Sequence, residues 1–199
     1  MEYNSERLHD GLYMMCRGEL VGLIGLLIGL VLLLIPVLGL LCLAAALVGT
    51  AVSVVGQFKL CGEHKGYKIA LILTVIGVLL NLSEQYGPIG IAGVSPAVLS
   101  VIISLLGLAC SLGRAYFLIR TTNGFLTRRG RDDLVEKGRK TLIIYVVCSV
   151  ASCALGELPD WSGDRLGPLA AAAVIVSLLG IISTWVKLRY LRQSADVFQ

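Results

Sequence analysis

Residues 20–58 read LVGLIGLLIGLVLLLIPVLGLLCLAAALVGTAVSVVGQF, thirty-nine positions without a charged side chain. A helix needs roughly 20 mostly apolar residues to cross the hydrocarbon core of a bilayer, so this run is long enough for two. Pro36 and Gly39 near its middle mark the reversal, with Pro36, Val37 and Leu38 as the connection. The stretch is a transmembrane hairpin, and the rest of the chain repeats that unit twice, more loosely.

Composition agrees with this reading. Of 199 residues 56% are hydrophobic and 15% charged, against about 25% charged in a soluble domain. Further apolar segments at about 69–82, 97–119, 141–156 and 169–186 follow those at about 19–35 and 39–58. The expected architecture is all-α: a polytopic helix bundle of six transmembrane helices in three tandem hairpins, at about 17–58, 65–119 and 137–192. The whole chain, 1–199, is read as one integral membrane domain. Residues 1–18 form a polar lead that is kept rather than cleaved, read equally as a solvated tail or as a helix whose Leu8, Leu12, Met15 and Tyr13 make an apolar face at the membrane surface. The cysteines fall in apolar segments or on the basic face, which argues against a disulfide framework.

Charge sets the orientation. Fifteen of the seventeen Lys and Arg residues lie in the termini and in the connections after the second and fourth segments, and Arg114 in the last turns of the fourth makes sixteen on that side; Arg165 is the exception. By the positive-inside rule both termini and the basic segment 120–140 are cytoplasmic, in a plasma membrane of bacterial type. The opposite face carries Glu84, Glu157, Asp160 and Asp164 against Arg165. These four form a candidate outer mouth that would concentrate cations, but topology bias alone also accounts for them, and that account is preferred.

Self-similarity supports three hairpins. Arg17-Gly18, Lys65-Gly66 and Lys137-Gly138 each precede an odd-numbered segment, and VIISLLGL at 101–108 matches VIVSLLGI at 174–181. The same offset of 73 pairs Arg114 with Lys187 and Phe125 with Phe198. Repeats of one orientation are related by an axis along the membrane normal, which favours a ring of hairpins. Small residues provide the expected helix-packing positions: Gly18, Gly22, Gly25 and Gly29 in the first segment, Ala45, Gly49 and Ser53 in the second, and Gly107 and Gly180 in the repeats.

Chemistry is sparse. Cys61, His64, His9 and Cys16 are metal-ligating types, but their spacing matches no zinc signature. Gln57, Asn81 and Arg114 are the strongest polar groups inside the apolar segments, and no acid is expected near the midplane, where proton and ion pathways place them. Glu19, Glu63, Asp132, Asp133 and Glu136 read as interfacial charges. No catalytic residue, cofactor or metal site is expected. Arg120, Arg128, Arg129, Arg131, Lys137, Arg139 and Lys140 form a surface for anionic lipid of the cytoplasmic leaflet or a partner; the acids among them argue against nucleic acid. The expected function is non-enzymatic: a self-assembling protein, as a homo-oligomer, or a small subunit of a larger membrane complex. The alternative is a small-solute transporter or channel with its path through the bundle.

Overall fold

Each apolar segment becomes a helix, and several helices run past the segment that announced them. A computed structural model describes residues 3–31, 36–85, 96–156 and 166–199. Among these residues there are six helices and no strand: α1 Ser5–Val31, α2 Pro36–Leu60, α3 Lys65–Gln85, α4 Pro96–Arg128, α5 Asp132–Gly156 and α6 Leu166–Asp196.

Local chemistry sets the ends. Asn4 caps α1, its Oδ1 accepting from the Arg7 amide at 3.1 Å. Pro36 and Pro96 occupy first helical positions, where a missing N–H costs nothing. Pro36, Val37 and Leu38 thus belong to α2 rather than to a connection. Gly130, at φ 68°, stops α4: the Arg131 amide reaches Leu126 O and the Gly130 amide Thr127 O, both at 3.0 Å.

The basic segment 120–140 is therefore not a loop. Helix α4 continues through it to Arg128, and α5 begins at Asp132 with two acids in its first turn, where the helix dipole favours them. The continuation is amphipathic: Leu118, Thr122, Phe125 and Leu126 recur on one face and are buried. The N-terminal lead is corrected likewise. Leu8, Leu12 and Met15 are 0% exposed, packed inside the protein on the first turns of an unbroken α1 rather than laid on a membrane surface.

The helices meet mainly as α1 with α2, α3 with α4 and α5 with α6; α2–α3, α4–α5 and α6–α1 contacts complete a ring. The core lies toward one end of that ring. Leu8, Leu12, Met15, Leu60, Tyr67, Leu126, Leu134 and Leu191 form it, with Tyr67 Oη 3.0 Å from Thr122 Oγ1 and Tyr190 Oη donating to Asn123 Oδ1 at 2.7 Å. Tyr3 packs edge-on against Phe125 and Phe198, ring centroids 5.1 and 6.3 Å away, so both ends of the chain are held at the α4–α5 turn.

Away from this core the pattern inverts. Leu47, Leu79, Ile143 and Val147 are each more than 60% exposed, and α1, α4 and α6 add Ile24, Leu105 and Leu178 at 46–54%. Two helical stretches among the described residues, Val98–Arg128 and Asp132–Leu155, are long and apolar enough to cross a membrane; in their most apolar parts only 6% and 17% of residues are buried. The core helix of a soluble protein would be mostly buried.

Candidate functional site

Where the apolar core gives way to the exposed belt, one charged cluster sits between the helices. Glu19 of α1 has its side chain 8% exposed and holds two cations. Arg114 of α4 donates from Nη2 to Oε1 at 2.9 Å, and Lys187 of α6 places Nζ 2.7 Å from Oε2. A buried carboxylate is stable only with such partners.

The cluster extends through neutral groups. Arg114 Nη2 also donates to Ser53 Oγ at 3.2 Å. The hydrogen-bonding network assigns the Gln57 amide with its oxygen toward Arg114, accepting from Nη2 at 2.9 Å and Nε at 3.1 Å, while its nitrogen donates to Thr74 Oγ1 at 2.8 Å. Thr74 Oγ1 in turn donates to Ala70 O at 2.8 Å. On the other side Lys187 Nζ lies 5.1 Å from the Tyr145 ring centroid, within cation–π range, and Tyr145 Oη is 2.7 Å from Ser111 Oγ. One connected network thus joins all six helices.

A cavity of about 270 Å3 adjoins it, lined by Glu19, Arg114 and Lys187, the hydroxyls of Thr50, Ser53, Thr74 and Thr184, and Leu23 and Ile181. Gly22 and Gly180 also line it, and a Cβ at either would meet nothing within 4 Å. The lining has two cations to one carboxylate. On the core side Leu12, Met15, Cys16, Leu188 and Leu191 are buried, with the Cys16 thiol directed to Leu188 O at 3.7 Å. A wider groove of about 800 Å3 runs along Phe58, Lys59, Cys61, Lys68 and Ile72, but its charges are exposed.

The packing glycines divide. A Cβ on Gly18 would collide with Ser53 N and Gly49 O, and one on Gly49 with Gly18 O and Gly22 N, so α1 and α2 touch backbone to backbone. Gly25 and Ser53 are buried and Ala45 half-buried, while Gly29 lies outside the residues whose surroundings are described. Gly107 has nothing within 4 Å of an added Cβ and makes no close approach within the chain, and the same holds for a Cβ on Gly22 or Gly180. Gly66 and Gly138, which follow the repeated basic residues, make close approaches instead, Gly66 to Thr121 and Gly138 to Asn123 and Tyr190.

The basic residues are partly engaged within the protein. Arg129 Nε donates to Tyr3 Oη at 2.6 Å, Arg131 pairs with Asp133 at 3.0 Å and Lys140 with Glu136 at 2.7 Å. Arg128 lies over Phe125 and Arg120 over Tyr116, while Lys137 and Arg139 are exposed on α5. Glu157, Asp160 and Asp164, and the side chain of Glu84, lie outside the described residues. Among the described residues no three metal-ligating side chains meet. His64 accepts from the Gly66 amide at 3.0 Å, and burial pushes the Cys61 thiol up.

Glu19, read from the sequence as a single interfacial charge, is instead buried between the helices and paired with two cations. Glu19, Arg114 and Lys187 each stand at the edge of an apolar segment, where single charges read as interfacial. One signal pointed to the site: the 73-residue offset aligns Arg114 with Lys187, and both cations converge on Glu19. No protein-family model, curated protein or solved structure matches this chain.

Proposed function

We propose that this chain is a six-span integral membrane protein of a bacterial-type plasma membrane, with both termini cytoplasmic, that binds and carries a small organic anion inside its helix bundle. The observation that carries the reading is the Glu19–Arg114–Lys187 cluster beside the cavity. Ionisable groups are costly among membrane helices and mark solute pathways or their gates.

Support for six spans comes from the belt, since exposed large apolar residues occur on every one of the six helices. Large exposed apolar surfaces are rare on soluble monomers and mark contact with membrane or protein. The strongly one-sided distribution of Lys and Arg supports the orientation, and the buried core with its charged rim then forms the cytoplasmic end. On this placement Arg128, the last residue of α4, stands about 18 Å farther along the helix than the interfacial Tyr116, at about 1.5 Å per residue, and Arg129 and Arg131 follow it in the turn. Contact with lipid headgroups then narrows to Arg120, Lys137 and Lys140.

The excess of cation over carboxylate and a cavity of about 270 Å3, at the small end of the ligand range, suit a compact carboxylate or phosphate. Such an anion competes with Glu19 for Arg114 and Lys187. The reading of self-assembly drew on the glycine stripes; Gly18 and Gly49 are spent inside the chain, which leaves the cavity as the stronger support.

The test is thermal stability of the purified protein in detergent with millimolar acetate, succinate or inorganic phosphate, each against chloride at matched ionic strength. Binding at a hundred times Kd adds about 2.7 kcal/mol. At least one of these anions should raise the melting temperature of the wild type and not of the double variant Glu19→Gln/Lys187→Met. Equal melting temperatures in all four salts contradict the reading.

A further inference from the structure

Two other cavities share a chemistry that the bundle site does not use. The first, of about 350 Å3, lies between α3 and α4 and is lined by His64, Lys65, Ile69, Phe117, Arg120 and Thr121, with Arg128 at its far end. The second, of about 290 Å3, lies between α5 and α6 and is lined by Lys137, Lys140, Thr141, Ile144, Arg189 and Tyr190, with Gln193 beside them. No acidic residue lines either one; Lys140 in the second is shared with Glu136.

The clefts occupy matching places. Lys65 and Ile69 lie 72 residues before Lys137 and Thr141, and Phe117 and Arg120 lie 73 before Tyr190 and Gln193. Each cleft therefore joins the first turns of an odd helix to the same face of the following even helix, with a lysine, a ring and a polar side chain in register. In the first, the Gly66 amide donates to His64 Nδ1, which leaves the His64 proton on Nε2 as a further donor.

Both clefts also straddle a chemical boundary. Ile69 and Ile144, 38% and 37% exposed, are among the outward apolar residues nearest the basic ends of α3 and α5, and each lines its cleft beside the cations. A cavity with cations at one edge and an exposed apolar side chain at the other fits an amphiphile with an anionic head better than a free ion.

We propose that the two clefts each hold the phosphate headgroup of an anionic phospholipid of the cytoplasmic leaflet, its chains running along Ile69 in one and Ile144 in the other. The proposal rests on the membrane placement above and is independent of the solute site. Lys65 and Arg120 bind the first phosphate, and Lys137 and Arg189 the second. Arginine and lysine are the side chains that bind phosphate most strongly.

The test reconstitutes the full chain in vesicles of equimolar phosphatidylcholine and phosphatidylglycerol and counts retained lipids by native mass spectrometry. The wild type should retain phosphatidylglycerol over phosphatidylcholine, up to two per chain. Lys65→Gln/Arg120→Gln should lower the ratio roughly thirtyfold at one site, and adding Lys137→Gln/Arg189→Gln should abolish the preference. The charge-keeping variant Lys65→Arg/Arg120→Lys should restore retention at the first site, which separates binding from folding, and Arg139→Gln, which lines neither cleft, should change nothing. Equal retention of the two lipids by the wild type overturns the proposal. So does displacement of phosphatidylglycerol by millimolar inorganic phosphate, which would assign the clefts to a free anion. A chain that stays in solution and does not enter the vesicles overturns this proposal and the membrane reading together.

Discussion

Removing the Glu19 carboxylate would leave Arg114 and Lys187 in the bundle without a counter-charge. Breaking a buried pair by removing one partner costs about 3–5 kcal/mol, whereas replacing the whole set with apolar or neutral groups is often nearly neutral. Glu19→Ala should therefore destabilise the folded protein by about that amount, and Glu19→Gln/Lys187→Met by clearly less, measured by thermal or denaturant unfolding. Equal losses in the two variants would mean that charge pairing does not hold the cluster. The glycines give a second contrast. Gly49→Ala puts a methyl group against the Gly18 carbonyl and the Gly22 backbone, neither of which can turn aside, so it should cost about 1–3 kcal/mol. Gly107→Ala meets nothing and should be neutral or stabilise by up to about 1 kcal/mol through helix propensity.

The turn between α4 and α5 makes a pH-dependent prediction at the scale of an element. A hydrogen bond from Arg131 holds the Asp133 carboxyl below the usual carboxylate range, and one from Lys140 does the same for Glu136. A folded-state pKa below the unfolded one adds stability above the unfolded value, about 3.9 for Asp and 4.3 for Glu, and that stability is lost as pH falls through the folded values. The wild type should exceed Asp133→Asn/Glu136→Gln in stability by a small, constant margin from pH 8 to pH 5, closing below about pH 4; a margin that widens in acid would refute the assignment. The same turn shows what the sequence conveyed and what it hid. Apolar runs located the helices because a long uninterrupted apolar stretch has length and hydropathy to read without any partner. The helical extensions were hidden by their charge: Arg120, Arg128 and Arg129 made α4 look finished, although Leu118, Thr122, Phe125 and Leu126 kept the helical period on the opposite face. The Leu8, Leu12 and Met15 stripe was legible as a helix face, yet its occupant was not, since lipid and protein core select the same side chains. Glu19, Arg114 and Lys187 meet only through the ring of helices, and a pairing across 95 and 168 positions leaves no local spacing to read.

At the scale of the whole molecule, a packed core lies at one end of the ring of helices and an exposed apolar belt at the other, with the charged network at their junction; on the proposed placement the core end is a cytoplasmic cap. The cap supplies what the belt lacks. Leu12→Ala or Leu126→Ala, both 0% exposed, should each cost about 2–5 kcal/mol, whereas Leu47→Ala or Val147→Ala on the belt should leave the stability of the reconstituted protein within about 1 kcal/mol, because lipid replaces the lost contacts. A large loss at the belt positions would indicate that another protein surface covers them. The placement of the network inside a six-span bundle is the central claim, and membrane topology tests it most directly. Gly130→Cys and Ser162→Cys variants would be labelled with a membrane-impermeant maleimide in intact cells and after permeabilisation, with the parent chain as background. The account predicts labelling of Ser162→Cys from outside and of Gly130→Cys only after permeabilisation; labelling of both from the same side would contradict it.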